Sequence, residues 1–272
     1  MALGDLRHRL QTDRFILCVA LASIALLAAF ATVAGVGMNM TALEMTQMAG
    51  APGVRALGLG DLMPAMRAPS WTPHYAAAML AMWWIMMLAM MLPSATPMIL
   101  QYTAIERLRD GPSISPVAPY VFAVGYGLVW GAFSLAAVLL QWRLGEAQLL
   151  TPMMLTHTRL LAAVLVVGAG LWQLSPQKSH CLNLCRSPAT FLVRHWRQGP
   201  LRMGLAHGAF CLGCCWALML LLFYGGVMNL YWIAGLSALV LMEKLAPAGP
   251  WLARAAGFGL IAWGAALALA IV

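Results

Sequence analysis

The chain has 272 residues, 62% of them hydrophobic and only 9% charged, and its mean hydropathy is +0.82. A water-soluble domain carries about 25% charged residues, so the composition excludes an ordinary soluble enzyme and points to an integral membrane protein. The formal net charge of +8 then reads as basic cytoplasmic loops and not as a nucleic-acid surface.

A spanning helix needs about 20 mostly apolar residues, and seven runs qualify. They cover roughly Phe15 to Gly37, Tyr75 to Leu100, Ala118 to Trp142, Thr158 to Leu174, Gly204 to Tyr224, Met228 to Leu245 and Trp251 to Val272. The first is too long for a simple signal peptide and has no clear cleavage site. With the N-terminus inside, 12 Lys and Arg residues fall on the inner side and 4 on the outer, the outer set being Arg55, Arg67, Arg143 and Arg159. Basic residues collect on the cytoplasmic side. The expected fold is therefore all-α: a polytopic transmembrane bundle of about seven spans, N-terminus cytoplasmic, in a bacterial inner membrane. Six spans would follow if the last two runs formed a re-entrant pair. No repeat or linker divides the chain, so residues 1–272 read as a single integral membrane domain.

Between the first two spans, Met38 to His74 should face outward, and "MNMTALEMTQM" places Met38, Met40, Met45 and Met48 at short spacing there. The second span holds six methionines, Met79, Met82, Met86, Met87, Met90 and Met91, with Met79, Met86 and Met90 close together on a helical projection. A stripe of this kind is either packed core or a set of thioethers able to serve a soft cation. Pro93 and Pro97 free carbonyls in that span, and Ser94 and Thr96 are the nearest groups that could serve them. The inner segment from Ser175 to Met203 is basic and carries His180, Cys181, Cys185 and His195. Its C-x-x-x-C pair spaces two thiols one helical turn apart. The fifth span opens with "HGAFCLGCCWALM". On a helix His207, Cys211, Cys214 and Cys215 share one face about 100° wide. A lone cysteine such as Cys18 packs as a small hydrophobe, but three thiols and an imidazole on one face suit a soft metal ion. "GGVMNL" reads as a tight outer turn capped by Asn229. Glu243 and Lys244 end the sixth span, where snorkelling to the interface is the simplest account. The sequence contains no phosphate-binding G-x-x-x-x-G-K-[ST] loop, no G-x-S-x-G and no H-E-x-x-H.

"AMWWIMMLAMMLPSATPMIL", "CLNLC" and "HGAFCLGCCWALMLLLFYGGVMNLYWIAGLSALVLMEKLAPAG" together resemble a bacterial family of predicted metal-binding integral membrane proteins, also labelled copper chaperones. The likeness covers roughly residues 75–249. Matched positions are Met86, Met87, Met90, Met91, Pro93, Pro97, Cys181, Cys185, His207, Cys211, Cys214, Cys215, Met228, Asn229, Glu243 and Lys244. The resemblance implies metal handling, most of all copper, without assigning a reaction.

Residues and resemblance together lead to one expectation: a membrane protein that binds, delivers or transports Cu(I), with zinc as the other candidate ion. The expected ligands are His207, Cys211, Cys214, Cys215, Cys181, Cys185, Met86 and Met90. The expected partners are the metal ion, the lipid bilayer and a metal-donor or acceptor protein, with no nucleic acid. Binding and hand-over are expected ahead of catalysis. The alternatives are a membrane thiol–disulfide oxidoreductase, for which Cys181 with Cys211 is the pair to test, and an accessory subunit of a membrane complex.

Overall fold

The computed structural model describes residues 3–36, 40–50, 71–110, 117–151, 154–156, 158–196 and 199–269. Met38, Arg55 and Arg67, named above, lie outside this set, and the Met48 side chain is likewise not described. Among the described residues the regular structure is helical: α1 (Leu3–Val33), α2 (Ala42–Gly50), α3 (Pro73–Asp110), α4 (Ala118–Glu146), α5 (Arg159–Leu174), α6 (Pro176–Arg186), α7 (Pro188–His195), α8 (Gly199–Leu220), α9 (Leu222–Gly225), α10 (Leu230–Leu245) and α11 (Gly249–Ala268).

Local sequence accounts for several ends. The Thr41 hydroxyl accepts from the Glu44 N–H at 3.2 Å while the Glu44 carboxylate accepts from the Thr41 N–H at 2.8 Å, a capping box that starts α2. The Thr41 N–H holds the exposed Glu44 carboxyl below the usual carboxylate range. Ser175 closes α5 and caps α6 by accepting from the Lys178 N–H at 3.1 Å, and the two helices meet at a bend of 62°. Asn229 caps α10 as its sequence position suggests, accepting from the Tyr231 N–H.

Among the described residues five helical stretches are long and apolar enough to cross a membrane: Gln11–Val33, Pro73–Arg107, Ala118–Glu146, Gly199–Gly225 and Gly249–Ala268. The bent α5–α6 pair makes a sixth if counted as one span. The sixth expected span, Met228 to Leu245, is α10, a helix of 16 residues, about 24 Å long at 1.5 Å per residue and short of a hydrocarbon core about 30 Å thick. Large apolar side chains stand on the outside, Phe15, Leu26, Phe30, Leu160, Phe258 and Trp251 among them. A water-facing protein does not tolerate that surface, and it fits a multi-pass membrane protein.

α8 is held tightly on α4. A Cβ at Gly204 would fall on the carbonyl of Phe122, and one at Gly125 on the backbone of Leu201, so the two backbones touch. α5 meets α11 in the same way, Gly170 lying against Gly257 and Ile261. The methionine stripe of α3 packs inward: Met79, Met82, Met86, Met87, Met90 and Met91 are all buried. Both prolines sit inside the unbroken α3. They leave the carbonyls of Ala89 and Pro93 without their helical donors, yet Ser94 donates to Met91 O at 2.8 Å and Thr96 to Leu92 O at 3.1 Å. The two hydroxyls therefore serve neighbouring carbonyls, and the expected repair is not the one made.

Candidate metal centre

α8 places His207, Cys211, Cys214 and Cys215 on one buried face, as the helical period requires. The Cys214 and Cys215 thiols both donate to the carbonyl of Cys211, at 3.0 and 2.9 Å. Their sulfurs are therefore drawn back along the helix.

The Cys211 sulfur points away from that carbonyl into a ring of polar groups. Lys244 Nζ lies 2.9 Å from Cys211 Sγ, and the Tyr126 hydroxyl 3.1 Å from it. Lys244 also donates to Ser94 Oγ at 2.9 Å. Ser94 and Tyr126 both donate to the carbonyl of Met91, the latter at 3.0 Å. Four helices, α3, α4, α8 and α10, thus converge on one sulfur. The expectation that Lys244 and Glu243 snorkel to the surface is overturned: they are 6% and 1% exposed. Lys178 and Arg186 of α6 lie over the end of α10.

Adjacent residues on a helix point about 100° apart, so Glu243 faces the other way. Its carboxylate accepts from Lys178 Nζ at 2.6 Å and from Gln173 Nε2 at 2.6 Å. Lys178 also donates to Gln173 Oε1, and the ion pair is buried on both sides. Arg186 completes the contact by donating to the carbonyls of Glu243 at 2.6 Å, Lys244 at 3.3 Å, Ala246 at 2.7 Å and Pro247 at 3.2 Å. Those are the carbonyls at and just past the end of α10, where the helical donors run out; the Ala246 carbonyl also accepts from the Gly249 N–H at 3.0 Å.

The inner segment therefore folds back against the bundle. It brings the Cys185 thiol to interact with that of Cys214 and lays Cys181 Sγ over Gly213, where a Cβ would stand only 2.8 Å from the sulfur. Cys185 with Cys214 joins Cys181 with Cys211 as a thiol pair drawn from α6 and α8. All six cysteines are free. His207 stacks on Tyr126 with ring centroids 5.7 Å apart, and its Nδ1 is buried without a hydrogen-bond partner. His180 is exposed, and the half-buried His195 donates to Phe191 O at 2.9 Å. Met86 and Met90 are buried in α3, and the carbonyl of Met91 in the same helix accepts from the Ser94 and Tyr126 hydroxyls beside the cysteine site.

Among the described residues no three His, Cys, Asp or Glu side chains are already grouped to enclose a metal ion, because two of the three α8 thiols are turned to Cys211 O. The chemistry of the donors nonetheless suits a soft ion. Several thiols are buried together, an ammonium stands against one of them, and a buried imidazole nitrogen lacks a partner. Tyr126, Ser94, Lys178, Gln173 and Arg186 were not signalled by spacing, since each joins the site across helices far apart in sequence.

Comparison with curated proteins and with solved structures finds no match. A family model described as "PpoB2: Copper chaperone" matches residues 80–267, a stretch that includes α4 to α10 whole, most of α3, and every cysteine, lysine and arginine of the site just described. With more than half its length matched, the chain belongs to this copper chaperone family.

Proposed function

We propose that the protein is a multi-pass protein of the bacterial inner membrane that binds Cu(I) as cargo and passes it to or from a partner protein. The observation that carries this reading is the meeting of Cys211 with Lys244 beside Cys214, Cys215 and Cys185, inside a helical bundle of a family named for copper delivery. Cu(I) prefers soft sulfur ligands. Cys211, Cys214 and Cys215 are the proposed principal ligands, with Cys185 and Cys181 supplied by α6 and His207 one turn away. Met86 and Met90 are proposed as thioethers lining the approach through α3. Rotation about χ1 frees the Cys214 and Cys215 sulfurs from the Cys211 carbonyl, and Lys244 offsets the negative charge of thiolates in a dry interior. The chain acts as one membrane domain with its N-terminus in the cytoplasm and, on the seven-span count, its C-terminus outside.

The test is the metal content of detergent-purified protein after growth with copper and zinc, wild type beside Cys211→Ser/Cys214→Ser/Cys215→Ser. The expected result is about one copper per chain, lost in the variant. Less than one Cu(I) per chain under reducing conditions overturns the proposal, and zinc in place of copper turns it to a tetrahedral structural site. One observation favours a second reading, a thiol–disulfide oxidoreductase: Cys185 and Cys214 interact across two helices. Thiol trapping separates the two, because a redox pair keeps cycling after metal is removed.

A further inference from the structure

We infer that Lys178, Gln173, Glu243 and Arg186 form a clamp whose task is to position both halves of the thiol site at once, an inference that rests on the Cu(I) reading above. The geometry starts from α6. Its two clamp residues, Lys178 and Arg186, lie eight positions apart, about 12 Å along the helix axis, and Cys181 and Cys185 lie between them. Both clamp residues grip the same short piece of chain, the last turn of α10 and the residues just after it. That turn carries Lys244, whose ammonium stands at Cys211. Arg186 immediately follows Cys185, and one turn earlier the Cys181 sulfur lies against Gly213 of α8, next to Cys214. A single set of contacts therefore ties the backbone that holds the ammonium to the backbone that holds the fourth thiol.

The composition of the clamp supports a positioning task. A buried ion pair contributes little stability over an apolar pair of the same shape, but it fixes direction. Lys178 has two acceptors on two different helices, Glu243 on α10 and Gln173 on α5, so α6 cannot slide or rotate without breaking one of them. Arg186 spreads two nitrogens over four carbonyls, a planar fork that a flexible ammonium does not reproduce. Neither residue donates to a sulfur. They act through Cys185 and Lys244 and are positioning residues.

The test uses the full-length chain in detergent, metal-free and reduced. In a background keeping only Cys185 and Cys214, disulfide formation by a metal-free thiol oxidant such as diamide reports their proximity: the two thiols lose two electrons and two protons to the oxidant. Arg186→Gln and the neutral pair Lys178→Met/Glu243→Gln are compared with the exchanged pair Lys178→Glu/Glu243→Lys. The expected result is cross-linking slowed about tenfold or more in the first two and restored in the exchanged pair. With all cysteines returned, Cu(I) affinity measured by chelator competition follows the same order. Unchanged cross-linking in Arg186→Gln and in the neutral pair overturns the clamp. Slowed cross-linking with wild-type Cu(I) affinity overturns its positioning role. The neutral pair keeps the test decisive if Arg186→Gln does not fold. The cross-linking measurement contains no metal, so it stands or falls separately from the copper reading.

Discussion

Lys178 illustrates how far a single side chain departs from its sequence neighbourhood. In a basic segment between two apolar runs it reads as a cytoplasmic loop charge, yet it is 1% exposed and paired with Glu243. Lys178→Met leaves a carboxylate buried without its cation, at an expected cost of about 3–5 kcal/mol. Adding Glu243→Gln should recover most of that loss, because an uncharged pair leaves no buried ion behind. Thermal unfolding in detergent checks both, and equal losses in the single and double variants would show that the ion pair is not the source. The cysteine face behaves in the opposite way. His207, Cys211, Cys214 and Cys215 share a face because of the 3.6-residue period alone, so it was legible in the sequence. The groups that meet Cys211 come from other helices. Tyr126 lies 85 positions away and Ser94 meets Lys244 across 150, and no local pattern records such a meeting.

Helices were the legible element, and their ends and duties less so. Composition and period identify the apolar runs, but the break at Ser175 and the shortness of α10 depend on caps and on tertiary packing. The inner segment, read as a basic loop, is two further helices, because Pro176 and Pro188 start new turns where their missing N–H groups cost nothing. Between elements the decisive residue is Gly204. Its Cβ position is taken by the Phe122 carbonyl, a backbone group that cannot step aside. Gly204→Ala should cost about 1–3 kcal/mol through overpacking and drive α4 from α8. Gly168→Ala is the contrasting case: nothing lies within 4 Å of its Cβ position, and an alanine there should add about 0.5–1 kcal/mol of helix stability. Unfolding midpoints of the two variants should move in opposite directions, and a shared direction would refute the contact between α4 and α8.

At the scale of the whole molecule, burial alters the charge argument without reversing it. Lys178 and Lys244 were counted as inner charges, and both are buried. Setting them aside leaves ten basic residues against four, still the asymmetry expected of a cytoplasmic N-terminus. Terminal fusions to a reporter active only outside the cytoplasm check this. The seven-span count expects activity at the C-terminus and silence at the N-terminus, whereas silence at both ends gives an even number of spans. One contact has a further bearing on traffic through the bundle. Cys214 already has a thiol for company from another helix. On the copper reading, an incoming ion is not dropped into a waiting hole. It takes thiols that already make contacts of their own, and each copper–sulfur bond formed releases a thiol proton. Uptake and release are then the same exchange run in two directions, protons leaving the sulfurs as the ion binds and returning as it departs.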